Sequence, residues 1–454
     1  PEFHDKVEFE IVITCFTFDF DHHSERLLKD GFNDSEIRLL KTSLQKLTND
    51  IVTSRKASIQ DQVNLLQKMK EREEYISEMQ ASEIEDLSPV IGYYLDDCIR
   101  FGTLPFSILA RYAFVATSFL NSLQRLNVFS RHEMEQFLMS IPTVATEMSE
   151  NLSQLNQGVL SQDEFLAKYG HLRPGTYDIL SPRYDEAFEI YFSNGQRKIM
   201  PSNETCGKED IPQDFPYRIF KEKEEQITKL LKASGFEFTP EVLLGFIIQS
   251  IQHRELAKFE FTKHISNVLR LLGLFGEKMG LSKDDISYLP IKEILDYKSR
   301  NTTCSFRRDI TRKIESNKKF HKITQAIRLP NVIVSSNDVD SFYVQGELPN
   351  FITNKKITGP IINLDTFSGA KDFRGKIMVI EKADPGYDWI FGHQIAGLIT
   401  KYGGVASHMA IRAAEFGLPS AIGCGELIFN QLTKAKMVEL NCSTQQIHVI
   451  EKDL

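Results

Sequence analysis

The sequence predicts a multidomain protein in which a mainly α-helical block is followed by a compact α/β domain. Three observations carry this reading. Apolar residues recur at three- and four-residue spacing from Asn33 to about residue 327, with one long break. After Leu329-Pro330 the pattern changes to short β-type runs punctuated by glycine and proline. A chain of 454 residues, 41% of them hydrophobic, supplies side chains for two or three cores without disulfide or metal staples.

The elements follow in order. Residues 1–20 read as strand: Val7, Phe9, Ile11, Ile13 and Cys15 alternate, then Phe16, Phe18 and Phe20 take the opposite parity, which predicts a bulge or two short strands. Asn33-Asp34-Ser35 opens the first helix, whose Ile37, Leu40, Leu44, Leu47 and Ile51 share a face. Similar patterns predict helices over 57–80, 82–101, 105–127 and 131–156. Residues 170–217 hold many of the prolines and few helical repeats. Helix returns near 219 and runs with interruptions to about 327; within it, 240–276 predicts one buried helix or a pair. The boundary places a helical domain at 1–328 and an α/β domain at 329–454. In the latter, strands are predicted at 332–334, 357, 361–362, 376–380, 396–399, 437–440 and 446–450, with one helix over about 406–416.

Composition narrows the function. A net charge of −8 argues against a general nucleic-acid binder, which carries a basic surplus. Six cysteines lie far apart without a CxxC pair, so a zinc module and a disulfide scaffold are both excluded and a reducing, cytoplasmic setting is expected. No run approaches the ~20 uninterrupted apolar residues of a membrane span, so no membrane partner is expected. The opening Pro1-Glu2-Phe3-His4-Asp5-Lys6 has neither an initiator Met nor an apolar signal segment, and reads as a cloning scar on an excised piece.

Chemistry concentrates at residues 399–423. A strand ends near Thr400, Gly403-Gly404 permits a tight turn, and a helix begins near Ser407. His408 therefore sits in a first helical turn, where unpaired N–H groups and the positive dipole end favour an anion such as phosphate. Gly417 and Pro419 punctuate the helix end. A neutral imidazole is a competent nucleophile near neutral pH. A lone histidine at a helix start would ordinarily be structural; the residues around this one decide otherwise.

This segment resembles the phosphohistidine swivelling domain of the phosphoenolpyruvate-utilising enzymes. Gly403, Gly404, Ser407, His408, Ala410, Ile411, Ala413, Glu415, Gly417 and Pro419 meet that family's pattern, and Asp384-Pro385-Gly386 and Gly397-Leu398-Ile399-Thr400 match its lead-in. One departure stands out. The family usually has Arg before the Glu, where this chain has Ala414, and Arg412 is the candidate to supply the charge instead. The resemblance implies a relay: an ATP-grasp nucleotide domain loads the histidine using ATP and Mg²⁺, the small domain swings, and a second site hands the phosphoryl group to an acceptor. No G-x-x-x-x-G-K-[ST] or G-x-G-x-x-G is present, so ATP and Mg²⁺ are expected to bind mainly to an N-terminal domain absent from this chain. Residues 1–20 would then be the tail of that ATP-grasp domain, or a sheet of the helical part. No metal site is expected within the chain itself.

The order of helical block and then histidine domain resembles the rifampicin phosphotransferase type of the family, often labelled phosphoenolpyruvate synthase. Tyr169-Gly170-His171-Leu172-Arg173-Pro174-Gly175-Thr176-Tyr177-Asp178 resembles a loop of its acceptor domain, and His253-Arg254-Glu255-Leu256-Ala257-Lys258 its later Arg-Glu helix. The implied acceptor-binding residues are His171, Arg173, Asp178, Arg254 and Glu255. Read on spacing alone, the loop is equally one held together by its own ion pairs, and Arg254 and Lys258 are a solvated helix face. The loop's Gly-Thr-Tyr-Asp version is similar to a subgroup containing glutamine kinase, which implies a small acceptor such as the amide of L-glutamine. The expected function is thus a phosphotransferase working through phosphorylated His408, with Gly403, Gly404, Ser407 and Arg412 supporting the phosphohistidine. The alternatives are a phosphoenolpyruvate synthase-type dikinase and a phosphocarrier loaded by a separate protein. Hinges are expected around 328–350 and 366–374.

Overall fold

Local signals in the sequence start and stop most helices of the first block. In the computed structural model, which describes residues 13–79, 83–192, 212, 214–297, 303–327, 329, 333, 335–339, 349–364, 373–383, 385–404 and 407–452, reciprocal capping boxes open the helices Asp34–Val52, Ile59–Glu78, Arg131–Met139, Val144–Asn156 and Gln162–Tyr169. The element predicted at 240–276 is one helix of 40 residues, Pro240–Met279. Thr239 caps it, Pro240 takes its first turn, and it stops at Gly280, whose φ of 67° is left-handed. This helix is the axis of the block. Its Leu243, Phe246, Ile247, Ala257 and Phe261 belong to one core, and its Val268, Leu272 and Phe275 to a second.

The helices Ile84–Asp97 and Leu104–Arg125 are joined without a break by a π-helical turn, Cys98–Thr103. A Cβ on Gly102 would lie 2.7 Å from that of Phe261, so the missing side chain lets this turn rest on the axial helix. By length and composition alone, Ile84–Arg125 is apolar enough to cross a membrane. Its Leu109, Val115, Ala116, Phe119 and Leu123 are instead buried in the first core, which accounts for the apolarity.

The strand expectation for the N-terminus is corrected where it can be read. Residues 1–12 lie outside the described residues, and 13–19 form no strand. Phe16 and Phe18 pack with Phe20, Phe119 and Phe236 in the helical core, and Phe16 N–H donates to Thr48 Oγ1 at 2.9 Å. Aromatic spacing that mimics a two-sided strand here serves a segment wedged between helices.

After Ala326 the chain builds a seven-stranded mixed sheet. Its strands are β1 (Asn350–Ile352), β2 (Lys356–Asn363), β3 (Ile377–Ile380), β4 (Gly397–Thr400), β5 (Ser420–Ile422), β6 (Ala435–Asn441) and β7 (Gln446–Lys452), in the order β1-β5-β4-β3-β2-β6-β7. β2 through β5 run parallel, which explains the fully buried Ile377–Ile380 and Gly397–Thr400. The edges are antiparallel. β1, β5 and the helix Gly425–Leu432 were not predicted: two are three-residue strands, too short to show a period, and the helix has Cys424-Gly425 at its start.

The two parts share a core. Met148, Leu152, Phe165, Tyr169, Tyr184, Tyr191 and Phe192 of the helical block form one buried cluster with Met378, Trp389, Ile390, Leu398 and Met409 of the α/β part. Of the expected hinges, most residues lie outside the described ones; Ser336–Val339 form one 3-10 turn.

Candidate active site

The site is assembled at the carboxyl end of β4. Gly403 has φ 125°, and a Cβ there would lie 2.7 Å from that of Ala383, so this turn requires glycine on both grounds. Thr400 Oγ1 ties the turn by donating to the Tyr402 carbonyl (2.9 Å) and accepting from Gly423 N–H (3.0 Å). Gly404 C=O accepts from Ser407 N–H at 3.0 Å. Ser407 Oγ then caps the helix His408–Glu415 by accepting from Ala410 N–H. The predicted helix start is therefore one residue from the observed one, and His408 is its first residue.

His408 is only 9% exposed in its side chain and lies between two carboxylates. Its Nε2 is 2.7 Å from Asp388 Oδ1, and its Nδ1 is 3.5 Å from Glu255 Oε2. Asp388 comes from the 3-10 segment Pro385–His393 before β4; Glu255 comes from the axial helix of the helical block. Each carboxylate has a guanidinium of its own. Arg254 Nη1 donates to Glu255 Oε1 at 2.7 Å, and Arg412 Nε approaches Asp388 Oδ1 at 3.4 Å. Arg412 also donates to Glu415 (2.5 Å), to the Ala145 carbonyl (3.1 Å) and to Ser149 Oγ (2.6 Å), so it ties the histidine helix to the helical block.

These contacts set the charges. Burial alone would discharge His408, but Asp388 and then Glu255 outweigh it and hold the imidazole up at about 9. Burial pushes the Glu255 carboxyl up, and the His408 hydrogen bond and the Arg254 charge overturn this, leaving it at about 2. Asp388 is likewise held below the ordinary carboxylate range, against burial, by His408 and Arg412. Buried Glu415 moves the other way, raised by burial more than Arg412 lowers it.

A small cavity of about 50 Å³ opens beside the ring. Val144, Ala145, Met148, Leu172 and Phe259 give it apolar walls, Thr176 and Thr262 add hydroxyls, and Glu255, Lys258, Asp388 and His408 form its charged end. Among the described residues, no group of three or more His, Cys, Asp or Glu side chains is placed to hold a metal ion.

The predicted acceptor residues separate in space. Glu255 lines the cavity, with Arg254 paired to it. His171 lies one layer behind, buried, its ring edge-on to Phe259 at 4.8 Å, and burial lowers it to about 3. Arg173 is buried and donates to the carbonyls of Asp178, Ser181 and Ser266 and to Ser266 Oγ, at 3.1–3.3 Å, which braces the loop 170–183. Asp178 is exposed and accepts from Leu180 N–H at 2.9 Å. Leu172 and Thr176 are the members of that loop that reach the cavity. Sequence reasoning missed Asp388 as a site residue. It lies four positions after Asp384 of the recognised lead-in, and no periodicity marks it.

Residues 373–445, which carry this turn, helix and histidine, match the family of the PEP-utilising enzyme, mobile domain. Among curated proteins, the chain is similar to the rifampicin phosphotransferases of Bacillus cereus (24% identical, covering 58% of this chain and 31% of that protein) and Bacillus subtilis (24%, 60% and 33%). It is also similar to the uncharacterised protein Rv2047c of Mycobacterium tuberculosis, 38% identical over 78 residues, or 17% of this chain and 9% of that protein. The chain thus spans about a third of the length of the phosphotransferases it matches.

Proposed function

We propose that this chain is the acceptor-binding and phosphohistidine-carrying part of an ATP-dependent phosphotransferase. In this reading, His408 takes a phosphoryl group from ATP bound on a separate nucleotide domain and gives it to a small-molecule acceptor in the cavity between the two parts. The observation that carries the reading is the placement of His408. It starts a capped helix within a mobile domain, and its ring faces a cavity bounded by Glu255 of the other part. The names of the similar proteins agree with the reaction class.

The chemistry at this end of the relay follows from the geometry. The acceptor's nucleophilic atom attacks phosphorus on phosphorylated His408; the new bond to phosphorus forms as the N–P bond breaks. The acceptor's proton leaves toward Glu255 and ends on the ring nitrogen that lost the phosphoryl group. The product is the imidazolium that Asp388 and Glu255 favour. The docked arrangement therefore suits the discharged enzyme. Lys258 and Arg254 offset the phosphoryl charge as it passes. Mg²⁺ and ATP belong to the loading half, and no step here runs through them.

The cavity suits an acceptor with a short apolar stem and polar ends. L-glutamine, phosphorylated at its amide, is the acceptor that the sequence resemblance brings forward. The test supplies the chain joined to its nucleotide domain with labelled ATP and Mg²⁺, and follows an acid-labile, base-stable label. Label should reach His408 alone, be absent in His408→Asn, and pass to L-glutamine when that is added. Label persisting in His408→Asn overturns the carrier assignment, and a stable label in the presence of L-glutamine overturns that acceptor.

A further inference from the structure

The cavity beside His408 has one wall that is held from two directions. That wall is the start of the helix Val144–Asn156, with Val144 and Met148 one turn apart on the same face and Ala145 beside them. Toward the α/β unit, Arg412 donates to the Ala145 carbonyl (3.1 Å) and to Ser149 Oγ (2.6 Å). Further along, a Cβ on Gly392 would lie 2.5 Å from Leu152 Cδ2, so the unit packs directly onto this helix. Toward the axial helix, Gln252 Nε2 donates to the carbonyl of Pro142, just before the helix starts (3.1 Å). The backbone of the wall is thereby fixed relative to both His408 and Glu255. Only its side chains are left to set the width of the space.

We propose that Val144 and Met148 are the specificity-determining residues of this cavity, and that they restrict the acceptor to a neutral hydroxyl or carboxamide at the end of an unbranched stem. This rests on the reading that the cavity holds the acceptor. Volume sets the first limit. At roughly 10–15 Å³ for each water-sized group, about 50 Å³ takes about four non-hydrogen atoms. A carboxamide with one carbon of its stem fills it, as does a hydroxyl with a short run of methylenes. A branch on the carbon next to a carboxamide adds an atom where Val144 and Met148 already stand. A packed wall with a fixed backbone does not yield a methyl group's width without cost.

Charge sets the second limit. The polar end of the cavity holds Glu255 and Asp388 together with Lys258 and His408, so with the docked ring charged there are two groups of each sign. Arg254, Arg412 and Glu415 stand behind them, each already paired. An ionised group entering a small apolar-walled space loses its water and meets no net charge in return. An ammonium also has no lone pair for phosphorus, and a carboxylate has no proton to give Glu255, which when ionised only accepts. A hydroxyl or a carboxamide has both. Leu172 and Phe259, which line the same space, suit the methylenes of the stem.

The experiment uses the full chain with ¹³C-methyl methionine and three probes of nearly equal size: butyramide, its branched isomer 2-methylpropanamide, and butyrate. The Met148 ε-methyl resonance, assigned by its loss in Met148→Ala, reports occupancy. In wild type, butyramide should shift it saturably. 2-Methylpropanamide should need about tenfold higher concentration or more, the cost of one methyl group that a pocket does not admit. Butyrate should bind no better than the branched amide. Val144→Ala keeps the reporter and should bring the two amides to within about twofold. Met148→Ala, read by saturation transfer to the probes, should do the same, while the volume-conserving Met148→Leu should keep the wild-type preference. Equal binding of both amides to wild type overturns the size limit, and a preference unchanged in both alanine variants overturns the role of Val144 and Met148. Preferential binding of butyrate overturns the neutral class, and no saturable shift with any probe overturns the proposal as a whole. The carrier reading is decided separately, by whether label from ATP reaches His408 in the chain joined to its nucleotide domain. Selective probe binding in an enzyme whose His408 never takes label counts against the carrier reading alone.

Discussion

Gly386→Ala tests whether the two parts are docked as tightly as the geometry requires. A Cβ at Gly386 would lie 1.6 Å from the Arg173 carbonyl oxygen, 2.3 Å from its carbon and 2.6 Å from Pro174 Cα. All three are backbone atoms of the loop 170–183, so no side chain can swing aside. Restoring even a 3.0 Å separation from the oxygen parts the surfaces by 3.0 − 1.6 = 1.4 Å. That displacement stretches the Tyr184 hydroxyl bond to the Gly386 carbonyl (2.9 Å) and the Arg412 bond to the Ala145 carbonyl (3.1 Å) beyond hydrogen-bond range. At roughly 1 kcal/mol for each lost bond and 1–3 kcal/mol for overpacking, the docked state loses on the order of 3 kcal/mol, a shift of about a hundredfold. The reporter is built in. Trp389 is the sole tryptophan, is 4% exposed, and lies 5.6 Å from Tyr191 across the junction. The variant should show red-shifted emission and readier quenching by acrylamide, with unchanged far-ultraviolet circular dichroism. Identical emission and quenching in Gly386→Ala and wild type would refute the contact.

Two further outcomes follow from the same contacts. His408 is raised in the folded protein from an ordinary 6.5 to about 9, so its contribution to stability is fully present below pH 6.5 and is lost as pH rises through 9. Urea unfolding at pH 6 and pH 10 should differ by about 3 kcal/mol more in wild type than in His408→Gln; equal differences would mean that the ring is not charged in the folded state. Arg173→Ala removes a buried guanidinium that bonds the carbonyls of Asp178, Ser181 and Ser266 and should destabilise by about 3 kcal/mol, with Arg173→Lys giving little rescue because one ammonium cannot span acceptors on both sides. An unchanged unfolding midpoint in Arg173→Ala would show that the loop stands without it.

The sequence by itself determined the features that are local. Apolar periodicity, with the Asn33-Asp34-Ser35 start signal, located most of the long helices and placed 240–276 within the 40-residue axis without deciding between one helix and two, because each signal lies within a few residues of the element it governs. The Gly-Gly turn, the helix start and His408 were legible for the same reason: a strand, a glycine turn and a first helical turn are contiguous in the chain. The strand reading of Phe16 and Phe18 failed because a spacing of two arises equally from a strand and from aromatics packed on both sides of an irregular segment, and only the helices around them decide which. The tertiary structure alone joined His408 to its partners. Asp388 stands twenty residues earlier across a β-strand and Glu255 stands on another part of the molecule. Likewise, Arg173 and Arg254 look alike as cations in a sequence, but one is consumed by backbone carbonyls and the other is paired beside the cavity. A side chain's role depends on which acceptors folding brings within about 3 Å of it, and chain order records that distance only for near neighbours.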